Sequence, residues 1–284
     1  MLVTLCDVLE IAEKKNFAVG AFNTPNLECL LAVLHNAEEL HIPVIISHAE
    51  LHEEIAPLED IGPIMLCKAK ASRVPVCVHL DHGEHLSYLE KALDMGFTSV
   101  MYDGSLLSYE DNVANTRKAV EMASRTGASV EAEIGVLGGR EAGAAGADAA
   151  EKAEDLYTDP DMAGAFVRET GIDALAASFG TAHGLYKVKP DIDFERIGRI
   201  RELTGIPLVM HGGSGVSPED YRTAIRRGVR KINYYSYMSN AGMKAARELL
   251  SVKANTFYHD IAFAAQRAMK EDTMKAMKIF CNTY

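Results

Sequence analysis

Short apolar, β-branched runs recur along the chain, separated by longer stretches in which apolar residues repeat with a helical period. The runs are FAVGAF (17–22), PVIIS (43–47), PVCVHL (75–80), TSVMYD (98–103), SVEAEI (129–134), DALAASF (173–179), IPLVMH (206–211) and RKINYY (230–235). Their length and composition predict eight strands. Segments 26–40, 85–95, 109–126, 160–170, 192–203 and 217–227 carry the helical pattern between them. Strands separated by helices pair in parallel, because each crossover must return to the same edge of the sheet. Eight such units predict an α/β fold of the (β/α)8 TIM-barrel type.

Capping residues support these boundaries. Thr158, Asp159 and Pro160 open one helix that Gly171 closes, and Ser217, Pro218 and Gly228 do the same for another. One segment breaks the alternation: GVLGGREAGAAGADAAEKAED (135–155) is Gly/Ala-rich and long for a strand-to-helix connection, so it reads as a candidate lid. No linker divides the chain. The expectation is a single domain, 1–284, with a C-terminal helical extension from about residue 240 that packs on the barrel or on a neighbouring subunit.

Composition narrows the function classes. A formal net charge of -11, without a basic run, argues against nucleic acid and against an anionic lipid surface as partners. The five cysteines contain no CxxC pair and are odd in number, which fits a reducing compartment rather than a disulfide framework. The N-terminal stretch MLVTLCDVLEIAEKKNF is amphipathic, without a basic n-region, and no long apolar run occurs. The expected location is therefore cytoplasmic.

In such a barrel, chemistry gathers at the C-terminal ends of the strands. There the third predicted strand carries Asp81 and His82, the fifth Glu131 and Glu133, the sixth His183 in FGTAHG, the seventh His211 in MHGGSG and the eighth Asn233. A lone histidine at a strand end usually satisfies a buried carbonyl. Three of them on one rim can instead surround a zinc ion and leave a fourth position open. The run HGGSG (211–215), leading into a helix, suits an anion. In VHLDHGEHL (78–86), strand alternation puts His79 on the same side as Asp81 but deeper in the barrel, whereas Glu84 and His85 begin the next helix and are expected to play no part in metal binding.

AVGAFN, HLDHG, VEAEIGVLGGRE, YTDPDMAGAFVRETGIDALAASFGTAHGLY, GIPLVMHGGSG and GVRKIN, in this order, resemble the class II, metal-dependent ketose-bisphosphate aldolases. The resemblance implies one Zn2+ per subunit held by His82, His183 and His211, with Glu133 as an alternate ligand, and allows a monovalent cation near the phosphate loop. It implies Asp81 and Glu141 as the two acid/base groups. Gly184, Gly212, Gly213, Ser214, Asn233, Tyr234, Tyr235 and Ser236 would lie around the phosphate and hydroxyketone, with Asn23 contacting substrate. The implied reaction is reversible cleavage of a ketose 1-phosphate or 1,6-bisphosphate, of fructose or tagatose type, to dihydroxyacetone phosphate and an aldehyde such as glyceraldehyde 3-phosphate.

Departures from the family pattern concern the aldehyde half, which can carry phosphate, sulfonate or neither. SHAEL (47–51) stands where Gln and Ser are usual, and the strand-eight loop carries Tyr234, Tyr235 and Tyr237, which suit core packing or a subunit contact as well as a substrate wall. Those tyrosines and the C-terminal helices suggest a homodimer or homotetramer. Two other readings stand beside the aldolase: a zinc metallohydrolase on the same barrel, which would usually carry a His-x-His pair absent here, and a non-catalytic aldolase-like subunit.

Overall fold

The computed structural model describes residues 1–135, 157–186, 188–253 and 255–282. Eight parallel strands close into a barrel: β2 (Val19–Asn23), β3 (Val44–Ala49), β4 (Val76–Gly83), β5 (Ser99–Tyr102), β6 (Ser129–Ile134), β7 (Ala174–Ala177), β8 (Leu208–Met210) and β9 (Val229–Asn233). Pairing of β2 with β9 and of β4 with β5 completes the ring. A two-residue strand, β1 (Leu2–Val3), adds to the lower end of β4. All eight expected strands are therefore found, and the barrel is the predicted (β/α)8 fold.

The outer layer is formed by α2 (Leu27–Leu40), α3 (Leu58–Ala71), α4 (Leu86–Met95), α5 (Tyr109–Ser124), α6 (Pro160–Thr170), α7 (Phe194–Thr204) and α8 (Pro218–Arg227). Their ends follow capping chemistry. Asp159 and Ser217 accept from backbone N–H groups of the first turns of α6 and α8, and Gly171 and Gly228 close those helices. The helix α3 has Pro63 in its interior, which interrupts the pattern by which the other helices are read.

Two apolar regions hold the barrel. Outward-facing strand residues such as Phe22, Ile46, Val78 and Leu175 pack under the helices. Inside, Val19, Ile45, Cys77, Met101 and Val209 fill the lower half. Helix α1 (Leu5–Lys15) closes the bottom, with Leu5, Val8, Leu9 and Ala12 at the i, i+3, i+4, i+7 positions of its buried face. The C-terminal extension is two helices, α9 (Ser236–Val252) and α10 (Tyr258–Phe280). Phe280 ends α10 fully buried between Tyr221 and Tyr234, and its carbonyl accepts from Ala18 N–H at 3.1 Å, so the extension is tied to the barrel itself. Among the described residues no helix is long and apolar enough to cross a membrane.

The eighth strand stops earlier than the run RKINYY suggests. Tyr234 N–H still donates to Ala21 O at 2.8 Å, but Tyr235 leaves the extended conformation and caps α9, so Ser236 is the first helical residue.

Candidate active site at the barrel mouth

Strand alternation carries Asn23, Asp81, Glu131, Glu133, His211, Lys231 and Asn233 into the upper half of the barrel, above the apolar filling. Asp81 is fully buried, and its two oxygens accept from the side-chain amides of Asn23 (3.0 Å) and Asn233 (3.1 Å). His82 follows it directly, so in a regular strand it would face the helices. It does not, because the β4–β5 register slips between Leu80 and Gly83 and His82 has φ 44°, in the left-handed region. Such a conformation is costly for a residue with a Cβ, by about 1–3 kcal/mol. Here it turns two adjacent side chains toward the same space.

Three imidazoles meet there. The ring centroids of His82 and His211 are 4.6 Å apart, and His183, in the loop after β7, lies 5.0 Å from His82 and 5.7 Å from His211. One nitrogen from each ring lies within 4.8 Å of the other two. His82 Nδ1 bonds to Asp103 Oδ2 at 2.7 Å and His211 Nε2 to Glu131 Oε1 at 2.9 Å. A carboxylate can only accept, so these bonds place the ring N–H groups on the outside. The remaining nitrogens, His82 Nε2 and His211 Nδ1, face each other at 2.9 Å. Two lone pairs so arranged call for a proton or a cation between them.

Electrostatics favour positive charge at this point. Burial alone would lower the His82 pKa, but Asp81, Asp103 and Glu133 outweigh it and raise it well above the ordinary value. Burial would raise Asp81, yet His82, Lys231, His211 and His79 hold it well below the usual carboxylate range. Burial, then Asp103, raises Glu133 well above its ordinary value, and Glu133 Oε2 has no hydrogen-bond partner among the described residues. The anionic surroundings that would hold a proton on His82 equally favour a metal ion in its place. Three imidazole nitrogens, two of them backed by carboxylates, form a donor set that fits zinc. His82, Asp103 and Glu133 form a second compact grouping at its side.

The glycine loops lie beside the histidines. Gly212 has φ 61°, and a Cβ there would come within 2.4 Å of Ala182 O, so only glycine lets the His211 loop approach the His183 loop this closely. Tyr186 latches the two, accepting from Ala182 N–H and donating to Gly212 O, each at 2.8 Å. Gly184, at φ 101°, borders open space. Ser214 Oγ accepts from Tyr235 N–H at 3.1 Å, which joins the two loops expected to hold phosphate. The Gly213 N–H already donates to Asn233 O at 3.2 Å, and Gly213 O accepts from the Tyr221 hydroxyl.

The tyrosines divide. Tyr234 packs edge-on against Phe22 and Phe280 and donates to Asp272 at 2.9 Å, placing it in the helix layer, whereas Tyr235 stands against His52 with ring centroids 5.3 Å apart. Glu84 N–H and the His85 ring bond to Glu50. Glu141 and all but Gly135 of the expected lid lie outside the described residues.

With this geometry established, comparison with known proteins decides the family. The family description "Fructose-bisphosphate aldolase class-II" matches residues 3–283. The chain belongs to the class II fructose-bisphosphate aldolase family. It is thus a member of a family of zinc-dependent aldehyde-lyases that act on small phosphorylated sugars. A "Probable fructose-bisphosphate aldolase" of Bacillus subtilis is 38% identical over 98% of this chain and 97% of its own length. The "Fructose-bisphosphate aldolase" of Geobacillus stearothermophilus is 40% identical over 90% of this chain and 88% of its own. Among solved structures, the YdjI aldolase of Escherichia coli K12 superposes with a TM-score of 0.87 at 34% identity, covering 99% of this chain and 97% of that one.

Class II aldolase motifs did not single out every buried polar group of this mouth. Asp103, Tyr186 and the ion pair Lys231–Glu131 emerge only in three dimensions. For the pair a signal existed: alternation places one Lys and one Glu, two residues below Asn233 and Glu133, on inward positions of two strands. Opposite charges inside a barrel must find each other.

Proposed function

We propose that this chain is a metal-dependent aldolase that reversibly cleaves a ketose 1-phosphate or 1,6-bisphosphate to dihydroxyacetone phosphate and an aldehyde, with zinc on His82, His183 and His211. One observation carries the reading: three imidazole nitrogens within 4.8 Å of one another beside the buried, doubly hydrogen-bonded Asp81. A zinc ion bound there would act as a Lewis acid toward the ketose carbonyl and its neighbouring hydroxyl. Asp81 is held by Asn23 and Asn233 and kept anionic, so it serves as the base that takes the proton from the C4 hydroxyl in cleavage. In condensation it returns that proton to the aldehyde oxygen.

Gly184, Gly212 to Ser214 and Ser236 would surround the phosphate, with Asn233 between them and Asp81. Glu141 is carried over from the motif GGRE as the group that exchanges the proton on the ketone carbon. The packing of Tyr234 in the helix layer supports a role for it in holding α10 rather than substrate. Five free thiols and the net charge support a single-domain cytoplasmic enzyme, and the exposed apolar residues of α9 and α10, such as Leu250, Tyr258 and Phe263, support a homo-oligomer.

The proposal covers aldehyde halves with or without a terminal anion, since SHAEL replaces the usual Gln and Ser after the second strand. The test is a panel of ketose 1-phosphates and 1,6-bisphosphates of both C4 configurations, ranked by kcat/KM. Release of dihydroxyacetone phosphate from at least one member is the expected outcome. No cleavage across the panel by zinc-loaded protein would favour a non-catalytic subunit.

A further inference from the structure

Beneath the histidines lies a buried ionic chain with no place in the proposed chemistry. Lys231 Nζ and Glu131 Oε2 are 2.7 Å apart, and both side chains are 0% exposed. Glu131 uses its other oxygen, Oε1, to accept from His211 Nε2 at 2.9 Å. Lys231 Nζ also lies 3.3 Å from His79 Nε2, and His79 Nδ1 lies 2.8 Å from Ser99 Oγ. An ammonium can only donate. Lys231 therefore pairs as a cation with Glu131 Oε2 and donates to the lone pair of His79, and His79 turns its own N–H to Ser99. The chain is consistent from end to end, and every member of it is buried inside the barrel, below Asp81 and Asn233.

A substrate entering from the mouth meets Asp81, Asn233 and the histidines first, so these deeper groups do not touch it. Their effect has to pass through His211. Two imidazole tautomers are open to that ring, and only the one with hydrogen on Nε2 leaves the Nδ1 lone pair to face His82 Nε2 at 2.9 Å and to accept from the Asn233 amide at 3.3 Å. Glu131 selects this tautomer as long as it is an anion aimed at Nε2. A lone carboxylate in a dry barrel would be heavily penalised, and the Lys231 ammonium offsets that penalty and fixes the direction of the second oxygen.

We propose that Lys231 and Glu131 are a positioning pair that holds His211 with Nδ1 directed at the meeting point of the three imidazoles. The inference rests on the zinc reading above and adds to it a requirement for two residues that touch neither metal nor substrate. Groups that orient a histidine ligand from behind usually change metal affinity by about 10- to 100-fold when removed.

The test uses the full chain, stripped of metal and titrated with zinc against a chelating competitor, for the unaltered protein and for Lys231→Met. The variant is expected to bind zinc about 10- to 100-fold more weakly and to show an altered visible spectrum when cobalt replaces zinc; Lys231→Arg, which keeps the cation, should recover part of the affinity. Equal affinity and an identical cobalt spectrum in Lys231→Met would overturn the proposal. If Lys231→Met does not fold, Glu131→Gln, which keeps the shape and removes the charge, is read in the same way. Imidazole 15N NMR of the metal-free, unaltered protein gives an independent check: hydrogen on His211 Nε2 supports the pair, and hydrogen on Nδ1 overturns it. A protein that binds no zinc would sink the metal reading instead, and the NMR result would still decide whether the pair sets the tautomer.

Discussion

The two halves of the barrel interior are built from the same eight strands under the same alternation, yet they hold opposite chemistry. The lower half contains Val19, Ile45, Cys77, Met101 and Val209 sealed by the apolar face of α1. The upper half contains Asp81, His79, Glu131, Glu133, Lys231, His211 and Asn233, all buried. The lower half stabilises the fold by removing apolar surface from water. The upper half is a poor source of stability, because paired buried charges do little more than offset their own desolvation. What it provides instead is a fixed set of directions in which lone pairs and charges point.

The comparison can be broken by substituting one residue in each half. Asp81→Asn, which keeps the shape and removes the charge, and Asp81→Ala should each lower kcat of the folded protein by about 10²- to 10⁴-fold, the range expected for a general acid/base group. Ile45→Ala, a fully buried side chain in the lower half, should instead lose about 2–5 kcal/mol of stability with kcat of the folded protein near that of the parent. Retention of full cleavage in Asp81→Ala, or a large kcat loss in Ile45→Ala without any loss of stability, would erase the distinction.

A smaller effect should come from outside the barrel, under α4. His48 is buried there with its Nε2 2.9 Å from the Tyr88 hydroxyl, and burial, followed by the nearby His52, pushes its pKa down to about 4. The folded protein therefore keeps His48 neutral while the unfolded chain takes up a proton as pH falls below about 6.5. Stability rises with pH wherever the unfolded state binds more protons, so it should fall between pH 6.5 and pH 4, by up to about 3 kcal/mol. Urea midpoints measured across this window should drop, and His48→Asn should flatten part of the slope. A midpoint independent of pH would contradict the neutral, buried His48.

Much of the scaffold was legible in the chain. The eight apolar runs became the eight barrel strands, because parallel strands covered on both faces must be apolar and short. That His82, His183 and His211 meet on one rim beside Asp81 was legible from motif and strand position. The way His82 reaches the site was not: a pleated strand sends Asp81 and His82 to opposite faces, and only the register slip beside Gly83 and the left-handed φ at His82 reconcile them. That is a property of the β4–β5 pairing, which no local pattern encodes. The Asp103 contact to His82 depends on the same distortion. The pairing of Lys231 with Glu131 needed barrel closure, because the two residues lie on strands 100 positions apart in the chain. The strand-eight tyrosines needed the C-terminal helix in place, because Asp272, the partner of Tyr234, lies 38 residues further on.

The central claim is that the polar upper half is built around a metal ion while the apolar lower half keeps the barrel folded without it. Exhaustive removal of metal with a chelator, followed by measurement of both cleavage and far-ultraviolet circular dichroism, tests this directly. The account predicts that cleavage disappears, that the helical signal remains, and that one equivalent of zinc per chain restores activity. Undiminished cleavage by the metal-free protein would contradict it.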